Sequence, residues 1–194
     1  MFNNLFGKKP AAKKEFITIT LNAKLQPMHR GDLEDALTKI LEAHNIGEIC
    51  GGGSLLEKNG EISECDIEIE AKDTSEQAIH HIINFLEDAL APKGSKLRIG
   101  EDRIIEFGQH EGLALYLNGT DLPDEVYQNS DINEAWAEIE KLLGEEGGIH
   151  SYHQGETETA LYLYGNRFDT MHQLIEPFLN SYPLCQQCRV VQVV

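Results

Sequence analysis

Two segments of the chain, 96 residues apart, carry the same pattern of apolar and polar positions. In FITITL, Ile17, Ile19 and Leu21 alternate with Phe16, Thr18 and Thr20, a period of two that predicts a half-buried strand. In LALYL, Leu113, Leu115 and Leu117 share one side in the same way, and both strands end in Leu-Asn. A polar loop follows each, with Pro27 in one and Pro123 in the other. The period then becomes helical. Leu33, Ala36, Leu37, Ile40 and Leu41 fall on one face, as do Ile132, Ala135, Trp136, Ile139 and Leu143. Asp32 and Asp131 are the predicted N-caps, with Glu134 placed to complete a capping box. Glycine-rich turns are expected next, at Gly51-Gly52-Gly53 and Gly147-Gly148.

Each half then continues alike. CDIEIE (65–70) and TALYLY (159–164) alternate as strands. Second helices follow. One starts at a Thr74/Gln77 capping box and carries Ile79, Ile82, Ile83, Leu86 and Leu90. The other carries Phe168, Met171, Leu174, Ile175, Phe178 and Leu179. KLRIG (96–100), extended through RIIEF (103–107), and RVVQVV (189–194) close the units, and GEIC and GGIHSYH supply the missing second strands. Each half therefore reads β-α-β-β-α-β, the ferredoxin-like split unit. The fold class is α+β: two tandem units at 15–107 and 108–194, each an antiparallel sheet with two helices on one face.

Composition narrows the function. The chain has 194 residues, 41% hydrophobic and 25% charged, as globular proteins do. No apolar run reaches the roughly 20 residues of a membrane-spanning helix. There are 33 acids and 16 bases, a formal −17. Residues 15–107 hold 19 acids and 9 bases, and residues 108–194 hold 14 and 3, net −10 and −11. Only residues 1–14, with Lys8, Lys9, Lys13 and Lys14, are basic; they read as a flexible leader rather than a secretion signal. Such charge repels nucleic acid and anionic lipid. It serves solubility, or it meets a basic protein partner. Four cysteines without a signal peptide point to free thiols and a cytoplasmic setting.

Strand register predicts what the helix-free faces carry. On the first sheet these are Phe16, Thr18 and Thr20, then Asp66, Glu68 and Glu70, then Lys96 and Arg98, with the two cations meeting part of the acidic ladder. On the second they are Tyr116, Tyr162 and Tyr164. Aromatics on central strands are where RNA-recognition motifs stack bases, but the basic consensus of that motif is absent. Tyrosine suits half-wet contacts, so a domain–domain or subunit contact, a homodimer included, is one reading; packing beneath a loop is the other.

No reactive constellation stands out. Cys185-Gln-Gln-Cys188 precedes a strand rather than a helix, and Cys50 and Cys65 lie in the other half, so structural thiols are expected. The histidines, His80-His81 and His150-x-x-His153 among them, lack the spacing and carboxylate of a zinc hydrolase. Gly51–Gly53 is followed by neither Gly-Lys-Ser/Thr nor a dinucleotide pattern, and reads as a bulge or hairpin. DLPDEVYQNSD (121–131) lacks calcium-loop spacing. The expectation is no enzyme, no cofactor and no metal.

The leader MFNNLFGKKP, the passage LEDALTKILEAHNIGEICGGG and CDIEIEAKD resemble a family of small bacterial cytosolic proteins with tandem ferredoxin-like domains. In size and charge the chain also looks like the acidic immunity proteins that neutralise bacterial toxins. That resemblance implies occlusion of a basic, nuclease-like toxin by carboxylates with aromatic anchors. The expected contact residues are Asp66, Glu68, Glu70, Tyr116, Tyr162 and Tyr164. The alternative is a small regulatory domain binding a metabolite or metal ion between the two units.

Overall fold

The computed structural model describes residues 15–194; the basic leader lies outside them. The first half runs β1 (Glu15–Leu21), α1 (Pro27–Ala43), β2 (Gly47–Leu56), β3 (Ile62–Ala71), α2 (Glu76–Asp88), β4 (Ser95–Ile99) and β5 (Arg103–Phe107). The second runs β6 (Glu111–Asn118), α3 (Asp124–Asn129), α4 (Ile132–Leu143), β7 (Gly147–Gln154), β8 (Glu158–Gly165), α5 (Phe168–Leu179) and β9 (Arg189–Gln192). The sheets are ordered β2-β3-β1-β4-β5 and β7-β8-β6-β9, and every pairing between strands is antiparallel. Both are the ferredoxin-like order, and β5 is an added hairpin strand on the first.

The alternating apolar positions face the helices. Ile17, Ile19 and Leu21 pack with Leu37 and Leu41 of α1 and Ile79, Ile82 and Leu86 of α2. Leu113, Leu115, Leu161 and Leu163 pack with Ile139, Leu143, Met171 and Ile175. Fully burying one such side chain contributes about 1.5–3 kcal/mol.

Several boundaries differ from the sequence expectation. α1 begins a turn and a half before Asp32: Pro27 occupies its first turn and Gln26, whose N–H is tied to Ser151 Oγ at 3.1 Å, is the N-cap. Proline starts a helix without loss because its missing N–H has no helical partner there. Ser75, not Thr74, caps α2 by accepting from Ala78 N–H. Asp131 does cap α4, but Glu134 accepts from the Tyr182 hydroxyl, so no reciprocal box forms. The triple glycine lies within β2 rather than in a turn, just past a bulge between Ile49 and Gly51. β7 has a matching bulge between Ile149 and Ser151. Gly108, at φ 91, joins the units where a Cβ would lie 2.0 Å from the Pro92 carbonyl oxygen.

Candidate functional site

The two helix-free faces meet different surroundings. On the first sheet, register sets Asp66 between Gly53 and Thr20, Glu68 between Gly51 and Thr18, and Glu70 between Glu48 and Phe16. Lys96 and Arg98 stand on the far side of the threonines, opposite Thr20 and Thr18. Two strand spacings, about 10 Å, separate the acid column from the base column. Among the described residues no ion pair joins Lys96 or Arg98 to Asp66 or Glu68, which corrects the expected cross-sheet pairing. Glu68 instead leans outward: a Cβ placed on Gly51 would lie 2.9 Å from its Oε2. Asp66 Oδ1 is buried without a hydrogen-bond partner. Phe16 and Ile104 are 45% and 60% exposed; Phe16 pairs with Glu70 and Ile104 with Arg98 on this face.

The second sheet's face is covered by the first unit. Tyr116, Tyr162 and Tyr164 are buried, and with Ala114 and Ala160 they join the core built on the first sheet. The Tyr164 hydroxyl accepts from Lys24 N–H at 2.8 Å. The Tyr162 and Tyr116 hydroxyls donate to Glu61 Oε2 at 2.9 and 3.1 Å. Lys24 Nζ completes the cluster, 3.3 Å from Glu61 and 2.9 Å from Glu57. The Arg189 guanidinium lies 3.7 Å from the centre of the Tyr116 ring while binding Glu158 through two hydrogen bonds of 2.8 Å. The tyrosines thus form the contact between the two units. Burial and hydrogen bonding within the chain turn them toward the first unit and the clefts at the junction, rather than onto an open sheet face as register alone suggested.

Charge and burial compete at this junction. Burial would raise the Glu61 carboxyl, but the Tyr162 hydroxyl, the Lys24 charge and the Tyr116 hydroxyl outweigh it and hold it below its ordinary 4.5. Burial, reinforced by the Glu61 charge, pushes Tyr116 up to about 12 and raises Tyr162 further. His150, the bulged residue of β7, is pushed down to about 4 by burial, with His110 and His29 adding to the effect. Beside it a largely apolar cleft of about 470 Å³ opens between α1 and α2, lined by Leu25, His29, Phe85, Leu90, His150 and Tyr164. His29 Nδ1 is buried there without a partner.

Cys185 and Cys188 flank the end of a 3₁₀ turn before β9, in a cleft of about 460 Å³ with His172 and Glu176. Burial pushes Cys185 up to about 12 and raises Cys188 as well, so both stay protonated at neutral pH. All four cysteines are free. His44 and His81 stack at 3.6 Å between the end of α1 and α2. Among the described residues no group of three or more His, Cys, Asp or Glu is placed to hold a metal ion. No helix there is long and apolar enough to cross a membrane.

Glu61, Lys24 and Ser151 hold the junction, and Arg189 braces Tyr116 from within the second unit; none had a sequence signal of its own. The signal lay in their neighbours: Ala114, Tyr116, Ala160, Tyr162 and Tyr164 keep the helix-free side of the second sheet's central strands uncharged apart from Glu158 at the start of β8, which pairs with Arg189.

No protein-family model and no curated protein matches the chain. Among solved structures it is similar to the first two RRM domains of the yeast poly(U)-binding protein Pub1, at 12% identity, covering 92% of this chain and 99% of that one with a TM-score of 0.25. A Bacteroides thetaiotaomicron protein matches at 10% identity, 93% and 92% coverage and a TM-score of 0.28. An anthrone oxidase-like protein matches at 13% identity, 88% and 79% coverage and a TM-score of 0.24. Likenesses this distant carry no functional argument, and the assignment of the fold rests on the strand order above.

Proposed function

We propose that the chain is a non-catalytic acidic binding protein that receives a basic protein partner on the uncovered face of its first sheet. Its finest form is immunity-type occlusion of a basic, nuclease-like toxin. One observation carries the reading: of two equivalent helix-free faces, the one that no other described element covers bears the acid column Asp66, Glu68 and Glu70, with Glu68 turned toward the sheet edge. The net −17 steers a cationic partner from a distance, and Phe16 and Ile104 supply apolar contact in place of the buried tyrosines. The test measures binding between this chain and a panel of basic bacterial nuclease toxins, at low and physiological salt. Reversing the acids (Asp66→Lys, Glu68→Lys, Glu70→Lys) abolishes the complex; unchanged affinity in that triple variant overturns the reading.

The junction cleft favours a second reading, a small-molecule regulator. Its apolar walls and the orphaned His29 Nδ1 suit a neutral, mostly apolar metabolite that donates a hydrogen bond. Calorimetric heats with such compounds, lost in His29→Phe and indifferent to the acid reversals, would distinguish it.

A further inference from the structure

β2 is an edge strand. Edges offer unpaired N–H and C=O groups, and proteins blunt them with lysine, proline or inward charge. Residues 51–56, GGGSLL, carry none of these; one bulge lies before them and a second irregularity falls at their end, between Leu55 and Leu56, so the register is regular from Gly51 to Leu55. Directly paired residues point to the same face, so side chains at 51 and 53 would stand beside Glu68 and Asp66. Both are glycine, and the result is a lane free of side chains between the acid column and the edge. Glu68 Oε2 already occupies that lane above Gly51, Asp66 Oδ1 lacks a partner opposite Gly53, and the space where a Gly53 Cβ would sit is empty within 4 Å. Two residues on, Leu55 is 58% exposed.

We infer that β2 takes up an added β-strand from the partner: an extended segment with Lys or Arg at alternate positions and an apolar residue two places beyond. Its backbone pairs with the open edge about 4.8 Å from β2. Its cations lie beside Gly51 and Gly53 and reach across the glycine lane to Glu68 and Asp66, and its apolar residue lies beside Leu55. The glycines supply the reach, because any larger residue would shield the acids. A second copy of the chain is a poor occupant, since its own Glu48, Asp66 and Glu68 would meet the same acids. The inference rests on the basic-partner reading and adds how that partner docks.

The test titrates the full chain with the labelled peptide Val-Thr-Lys-Thr-Lys-Thr-Val, which presents the pattern in both directions, and reads anisotropy at low salt. The peptide binds, and replacing both lysines by glutamate weakens binding about tenfold or more. N-methylation of alternate backbone amides weakens it by a similar factor in one phase and spares the other, because only one set of amides faces β2. Gly53→Lys, which fills the lane with the protein's own cation, also lowers affinity about tenfold, and amide exchange over 51–56 slows when peptide is added. Charge-dependent binding that tolerates N-methylation in both phases puts the contact on the sheet face; it overturns edge docking and leaves the basic-partner reading standing. Absence of binding by the lysine peptide overturns the inference, while the acid-reversal measurement judges that reading separately. A dimer that dissociates in Gly53→Lys assigns the edge to a second copy and likewise overturns it.

Discussion

The two sheets share a strand order and a matching bulge, yet their helix-free faces have opposite surroundings. On the first sheet that face carries threonine, acid and base in separate columns. On the second it carries tyrosine and alanine, and the first unit packs onto it. The bulged residues show the same divide: Cys50 is exposed, whereas His150 lines the junction cleft. One topology therefore yields an internal joint and an outward surface, and outward side-chain chemistry decides which. Phenols bury well because the ring is apolar and a single hydroxyl can be satisfied, here by Glu61 or Lys24. A column of carboxylates cannot be buried without a cation for each.

The contrast breaks most visibly at Tyr162. Tyr162→Ala empties a fully buried site and removes a donor to Glu61; it costs about 3–5 kcal/mol in urea unfolding. A loss below about 1 kcal/mol would mean the junction is not part of the cooperative core.

Acid comes next. His150 is held near 4 in the fold against an ordinary 6.5. The unfolded chain gains the proton first, so this contribution is whole above pH 6.5 and lost as pH falls toward 4. The lost stability is on the order of 2–3 kcal/mol, and His150→Gln flattens that part of a pH-dependent melting series. Glu61 acts lower: its folded value lies below 4.5, so its contribution is present above that value and is lost as pH falls through the folded one.

Glu61→Ala strands the two phenol hydroxyls and Lys24 at the joint, and is expected to destabilise by about 1–3 kcal/mol at neutral pH in thermal or chemical unfolding. Thr18→Ala and Arg98→Ala, on the uncovered face of the first sheet, stay within about 0.5 kcal/mol of the parent. A large effect there would show that this face, too, is covered in the folded chain.

Much of this was legible in the residues. Ile17, Ile19 and Leu21 against Thr18 and Thr20 assign strand and face together, because a strand alternates its side chains whatever surrounds it. Phe168 through Leu179 likewise show their helix by period. Local pattern misled where a distant group intervened. Asp32 looked like the N-cap of α1, but residues 27–31, PMHRG, extend the helix without an apolar stripe, and Ser151 from the other unit secures its start. Gly51–Gly53 suggested a turn, since glycine in a strand gains nothing from its own side chain. β3 nonetheless pairs with it, and the glycines leave room for Glu68.

From residue order alone follow the doubled β-α-β-β-α-β unit, the acidic balance and the side of each sheet on which Asp66, Glu68 and the tyrosines stand, because these depend on backbone periodicity and on counting charges. Tertiary structure alone decided that Tyr116, Tyr162 and Tyr164 close a joint around Glu61 while the acids stay on the uncovered face. How two finished units dock depends on shape and on hydrogen bonds between residues up to 140 positions apart, as at Lys24 and Tyr164, and no short-range pattern encodes that.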